Sequence, residues 1–437
     1  MKTDQNELWQ KILNQPYCDP NKRMDFVLFF DVRDGNPNGD PDAGNLPRMD
    51  PLTGHGVVTD VCIKRKIRDY FSAALGRPIY IQSENALNNL YYEAARKIRE
   101  HNSNSEVDES TKKQLEQEAE TVAALLVQLN VGDNEKFKTL IEEKESEEET
   151  FRDWLEKVSK EIDEIEFDPV NGTLSYMGEA SAKKTFGKDT FKKLFSDYEP
   201  EKYKDELNEL TNLLAQAKPK KSGDMRKARE IVKWKMCERF DDIRLFGAVL
   251  TAGTNAGQIR GPFQLTFGRS IERIFQMDAA ITRCAITRAA DWKEKQTEFG
   301  RKSWLNWAVY RQHGFFNPLL GEKTGMERED LARFWEALAC MFRNSDSASK
   351  GEMTMHDIIV FVHDHPRGNA PSHKLFEMVK CKNEKGAAPN SESTNGKLII
   401  SRDGFDNFYF ITAPKEIEDY DNVKIYRPLR DIWKNNS

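Results

Sequence analysis

The sequence predicts an α+β fold carrying a large insertion, and three observations predict it. The segment Met24 to Val32 (MDFVLFFDV) is apolar on both pleat faces and poor in helix formers, which marks a central strand. Outside one block, the elements follow a strand-helix-strand-strand-helix-strand order, the order of a ferredoxin-like, RRM-type core. That block, residues 98–225, switches to a Glu/Lys/Leu composition with helical periodicity. The expected division is therefore a core of residues 24–97 and 226–437 and an inserted acidic helical lobe of residues 98–225.

Taken in order, the first strand runs into Arg33 to Gly56, a Gly/Pro/Asn-rich loop of a length that compact domains usually keep for function. Thr59 is a plausible N-cap for the next helix, with Ile63, Ile67, Tyr70, Phe71 and Leu75 as its apolar stripe. Within the insertion, Phe151, Trp154, Leu155, Val158 and Ile162 form a second helical stripe. Strand alternation returns at Phe263, Leu265 and Phe267, at Ala279 to Ile286, and at Trp304 to Phe316. A helix is expected at Arg328 to Phe342, a polar stretch at Lys382 to Asn395, and a last pair of short strands at Lys397 to Ile400 and Phe408 to Thr412.

Composition narrows the classes of function. The longest apolar stretch, Phe26 to Phe30, is far too short to span a bilayer, and the polar start lacks a signal-peptide core, so no membrane and a cytoplasmic location are expected. The six cysteines are isolated, with no Cys-x-x-Cys pair to signal a zinc knuckle. A formal charge of −6 argues against a nucleic-acid partner only until it is divided. Residues 101–170 hold 21 Asp/Glu and 8 Lys/Arg, which leaves +7 for the rest of the chain.

Several motifs have competing readings. Asp34, Asn36, Asn38, Gly39, Asp40 and Asp42 fit the first positions of a calcium loop, but its twelfth position is Asn45, Pro37 and Pro41 stiffen it, and a strand precedes it, so no metal is expected. Turn chemistry accounts for the same composition. The functional reading is contact with sugar and phosphate, with Arg48 adding charge. Lys64, Arg65, Lys66 and Arg68 place cations around three sides of one helix, a solvated face or a polyanion site. Gly257, Gln258, Arg260 and Gly261 combine permissive backbone with donors at a strand entrance, or mark a bulge. From Arg269 to Lys302 there are eight Lys/Arg against five Asp/Glu, interleaved with Phe275, Trp292 and Phe299. This mixture suits backbone tracking and base stacking, although strand aromatics equally serve a core. His363 and His365 alternate and would point to opposite faces, and no catalytic constellation is present.

In order along the chain, DFVLFFDVRDGNPNGDPDAGNLPRMD, DIRLFGAVLT, AGQIRGPFQLTFGRSI, GRKSWLNWAVYRQHGFFNP, SASKGEM and GNAPSHKLFE closely resemble the backbone subunit of type I CRISPR Cascade complexes, type I-C branch, of the RAMP superfamily. The resemblance implies a modified RRM core (palm), an inserted lobe (fingers) and a protruding β-hairpin (thumb) at about residues 279–307. It implies a non-enzymatic protein without cofactor. Its partners would be CRISPR guide RNA, target DNA through the guide, copies of itself in a filament, and other Cascade subunits. Asn36, Asn38, Arg48, Lys64, Lys66, Arg68, Gln258 and Arg260 fall in the guide-lining motifs, and Trp292 and Phe299 near the thumb tip. The rival reading is a metal-dependent ribonuclease using Asp31, Asp34 or Asp40. Relatives are much shorter where this chain has its insertion.

Overall fold

A computed structural model of the protein describes residues 9–82, 90, 94, 117–118, 127–131, 134–142, 150–162, 165–169, 172–176, 192–193, 195, 203–217, 225–250, 257–283, 298–385, 398–401 and 407–433. They form a mixed helix and sheet protein of two compact units. One comprises the chain up to Ile79, 244–246 and everything from Arg260; the other comprises 80–243 and 247–259. The division differs from the expected 97/98 and 225/226 boundaries because the flanks share a core. Tyr80, Leu90 and Ala94 cluster with Val232, Met236 and Phe240 of the helix region after Met225.

In the first unit, β1 (Met24–Gly35) is the central strand that its two apolar faces imply. It is followed by β2 (His55–Val58) and helix α1 (Asp60–Ala73). Later come β3 (Phe263–Leu265), β4 (Gly268–Arg273), β5 (Met277–Arg283), β6 (Glu298–Phe316), α2 (Arg328–Cys340) and β7 (Glu352–His363). The C-terminal part holds α3 (Ser372–Met378), β8 (Lys380–Lys385), β9 (Leu398–Ser401), β10 (Asn407–Thr412) and β11 (Val423–Tyr426). The main sheet has the order β11-β7-β1-β6-β4-β2, with antiparallel neighbours. Register runs from Met24 opposite Phe316 to Gly35 opposite Leu305.

Alternation along β1 feeds two cores. Met24, Phe26, Leu28, Phe30 and Val32 pack on one side with Ile63, Ile67 and Phe71 of α1 and Leu331, Phe334, Trp335 and Leu338 of α2. The rings of Phe263 and Phe334 stack at 3.7 Å, and the Trp335 indole donates to the Tyr17 carbonyl at 2.9 Å. Val27 and Phe29 face the other side, where Val309, Ile359 and Phe361 meet Leu375 and Phe376 of α3 and Tyr409 and Ile411 of β10. Much of the sheet face opposite α1 and α2 is thus closed. Strand β8 arises where the sequence suggested a loose stretch from Lys382, because pairing with β10 holds Lys380 to Lys385 in register. Among the described residues no helix is long and apolar enough to cross a membrane.

The second unit is not purely helical, contrary to the sequence expectation. Besides the helix Phe151–Glu161 with its Thr150 capping box, it contains a three-stranded sheet of Val127–Asn130, Thr173–Tyr176 and Ile165–Asp168. Four-residue strands carry too few alternations to register against a strong helical period. Ile165, Phe167, Leu174 and Tyr176 are buried with Phe151, Trp154, Leu207, Leu210 and Leu214 in a cluster bounded by Val131 and Leu214. Replacing Asn102 to Lys221 by a short Gly/Ser linker removes that cluster whole. The remainder is expected to stay soluble and to melt cooperatively, as followed by circular dichroism; an unfolded or aggregated product would contradict the modular lobe.

Candidate nucleic-acid interface

The loop after β1 is fastened by its own polar groups. Asn36, buried at 4% exposure, donates its amide to the Asn45 carbonyl at 2.6 Å, and its backbone N–H bonds the Ser349 carbonyl at 2.8 Å. Asn38 uses its carbonyl oxygen to accept from both the N–H (3.0 Å) and the hydroxyl (2.9 Å) of Thr59, the N-cap of α1. The Arg48 N–H donates to the Asn38 carbonyl at 3.0 Å, so the two limbs of the loop close on each other. Asp34 and Asn45 take left-handed φ values of 48° and 66°, a region that Asp and Asn tolerate best among residues with a Cβ. Asp40 accepts from the Asp42 N–H and lies 3.4 Å from Arg48. Its turn chemistry explains the acid-rich motif, and among the described residues no group of three or more ligating side chains could hold a metal.

The helix cations divide by depth. Lys64 pairs with Asp60 at 2.9 Å and lies over the Phe246 ring. Arg68, 8% exposed, lies 5.3 Å over the same ring. Lys66, 5% exposed, donates to Ser345 Oγ at 2.8 Å, and burial holds its ammonium pKa below the ordinary value. Lys350, which sequence reasoning did not single out, reaches the Pro37 carbonyl at 3.4 Å. It is placed there by Gly351, whose φ of 62° and close approach to the Arg33 carbonyl leave no room for a Cβ. Burial pushes the Cys62 thiol pKa up, against the opposing pull of Lys350, Lys66 and Arg48. The Cys62 thiol and Lys350 Nζ both reach the Pro37 carbonyl at 3.4 Å, and among the described residues neither Lys66 nor Lys350 has a carboxylate within ion-pair distance. The Nε of Arg48 is buried with no hydrogen-bond partner among them.

Gln258 and Arg260 are exposed on the short strand Gly257–Arg260; Gln258 belongs to the second unit and Arg260 to the first. Strands β5 and β6 form a hairpin arm from Met277 opposite Trp304 to Arg283 opposite Glu298. On it the apolar side chains of Phe299 and Ile281 are 80% and 51% exposed and belong to no buried cluster among the described residues. Trp292 lies outside the described residues.

The carboxylates of the ribonuclease reading are occupied to different degrees. Asp31 is fully buried; it accepts from Trp307 Nε1 and Arg33 Nε, both at 2.9 Å, and lies 3.1 Å from His356 Nε2. Burial alone would raise its pKa, but His356, Trp307 and Arg33 together hold it below the ordinary carboxylate range. Asp34 is exposed at the strand end. His363 is buried, bonded through Nε2 to Asp25 at 3.0 Å, and its Nδ1 accepts from the Asn369 N–H at 2.9 Å, so both ring nitrogens are engaged.

A model of the family described as CRISPR-associated protein Cas7 matches residues 22–157 and 177–400, most of the chain. A curated relative from Haloferax volcanii, itself described as CRISPR-associated protein Cas7, is 49% identical over 47 residues, which is 11% of this chain and 14% of the relative's length. Among solved structures, a chain of a "CRISPR RNA-guided surveillance complex, pre-nicking" is 18% identical with a TM-score of 0.37, covering 79% of each chain. A chain of another CRISPR RNA-guided surveillance complex is 14% identical with a TM-score of 0.32, covering 85% of this chain and 83% of the other.

Proposed function

The chain belongs to the CRISPR-associated Cas7 family, and from that premise we propose that it is the guide-RNA-binding backbone subunit of a type I-C-like Cascade. In this reading copies line up along a CRISPR RNA in the cytoplasm beside other Cascade subunits and present its bases for pairing with target DNA. The protein holds backbone while base pairing reads sequence. The observation that carries the reading is the corner where Cys62 Sγ and Lys350 Nζ both reach the Pro37 carbonyl at 3.4 Å, with Lys66 and Arg48 adding positive charge. Among the described residues Lys66 and Lys350 have no carboxylate within ion-pair distance, and such positive charge suits a phosphate, which supplies oxygen acceptors and negative charge. Lys64 extends the corner along α1, and Arg260 offers an exposed guanidinium on its own strand.

The sheet supports a palm assignment. The strands β7-β1-β6-β4, in the order fourth, first, third, second, with α1 and α2 on one face, follow the ferredoxin-like plan shared by RNA-recognition motifs. The β5–β6 arm suits the thumb and the second unit the fingers. Asn36 and Asn38 act here by fixing the loop, and Gln258 stands as a contact of the lobe side. A role without cleavage is supported by Asp31, which is fully buried, with Oδ2 accepting from Trp307 and Arg33 and Oδ1 3.1 Å from His356 Nε2. Isolating the full chain and sequencing whatever nucleic acid accompanies it tests the reading. Short RNAs with uniform ends are expected, and protein free of RNA or bound to random fragments would count against it.

A further inference from the structure

The sheet face opposite α1 and α2 is not covered along its whole width. Beside α3 and β8 an open trough of about 1130 Å³ lies over β4 and β6. Its floor is apolar, with Ile271, Phe376 and Val379, and the Phe267 ring at its side is 52% exposed. Arg269, Arg311, Lys380 and Lys382 line it against one carboxylate, Glu377, which Lys374 already approaches at 3.5 Å. Arg269 touches Asp50 at 2.8 Å yet keeps 56% of its side chain exposed. The His313 ring lies flat on Phe376, centroids 4.2 Å apart and planes 12° apart. Burial and the nearby Arg311 push the His313 pKa down to about 4, so at neutral pH this ring is an uncharged flat surface.

We propose that the trough is a second nucleic-acid site, which takes a single strand with its phosphates along Lys380, Lys382 and Arg269 and a base against Phe267. Rings beside cations are the means by which proteins hold single strands without reading sequence. The site is separate from the Cys62 corner. Arg311 and His313 share the parity of Val309, whose side chain packs with the α3 core, whereas α1 packs on the opposite face of the sheet. An acidic protein segment is the competing occupant. The most acidic run of this chain, Glu142 to Glu149, illustrates why it fits less well: it has no apolar side chain for the floor, whereas every nucleotide brings a flat ring with its phosphate.

The test uses the full chain freed of nucleic acid, with short oligo(U) and oligo(dT) strands that each carry one photoreactive iodouracil. Wild-type protein should bind two strands per chain and crosslink at 266–271 or 380–382. Phe267→Ala should weaken the second strand about tenfold, the loss of one stacked base. Lys380→Glu with Lys382→Glu should remove it, and Lys64→Ala with Arg260→Ala should leave it in place. Preference for one oligonucleotide over the other identifies the strand as RNA or DNA. One bound strand and no crosslink in the trough would overturn the proposal and leave the guide reading intact, whereas no binding at all would sink both. Displacement of the strand by poly-glutamate, with Phe267→Ala without effect, would also overturn it by assigning the trough to an acidic protein.

Discussion

Asp330→Ala is expected to cost the first unit about 3–5 kcal/mol, the usual effect of removing one partner of a buried ion pair. Arg244 reaches Asp330 through Nε at 2.9 Å and Nη2 at 2.8 Å, with side chains only 8% and 4% exposed. The same carboxylate accepts from Arg333 at 2.7 Å and from the Glu327 N–H at 3.0 Å, capping α2. Truncation leaves Arg244 charged and buried and uncaps the helix that carries Phe334 and Trp335 into the core. Burial would raise the Asp330 pKa, but Arg244, the Glu327 N–H and Arg333 hold it below the ordinary range. Its folded pKa is thus lower than its unfolded value of about 3.9. The carboxylate therefore contributes fully above that value and progressively less as pH falls toward the folded pKa. Urea unfolding should show wild type and Asp330→Asn furthest apart near neutral pH and converging in acid. A loss under about 1 kcal/mol at pH 7 would place the pair in the class of exposed salt bridges.

The second large effect concerns RNA. Each phosphate contact of a single strand contributes about 0.7 to the slope of log affinity against log salt. Replacing Arg48, Lys64, Lys350 and Arg260 together by alanine should flatten that slope by roughly 3 and weaken binding about a thousandfold near 0.1 M salt. The loss should be the same for unrelated RNA sequences, because phosphate contacts carry no sequence information. Lys66→Ala and Arg68→Ala belong to a different class. Both side chains are buried, against Phe342 and Phe246 respectively, so their loss should lower the melting temperature as well as RNA affinity. An unchanged salt slope in the fourfold variant, with folding intact, would remove the corner from the RNA path.

These residues also show where sequence reading runs out. The MDFVLFFDV strand, the Thr59 cap and the α1 and α2 stripes were legible because each signal is local: a pleat, a cap or a helical period. The depth of the α1 cations was not legible. Spacing places Lys64, Lys66 and Arg68 on faces of a helix, but whether those faces meet water depends on Phe246, Phe342 and Ser345, which arrive from far along the chain. Lys350 left no signal of its own; a single lysine in a Ser/Gly turn becomes notable only through Pro37, 313 residues away. The covering of one sheet face by α3 and β10, and the trough that escapes it, are likewise products of tertiary packing. The short strands of the lobe were masked by the stronger helical period around them.

The proposed role is to hold a guide RNA without cutting it, and the most direct measurement is the length of the bound RNA over time. The full chain, loaded with its RNA, is incubated with Mg²⁺ or Mn²⁺ and the RNA is resolved on a denaturing gel. The account predicts an RNA whose length does not change. Shortened products that vanish with Asp34→Ala would contradict it and make the chain a metal-dependent ribonuclease.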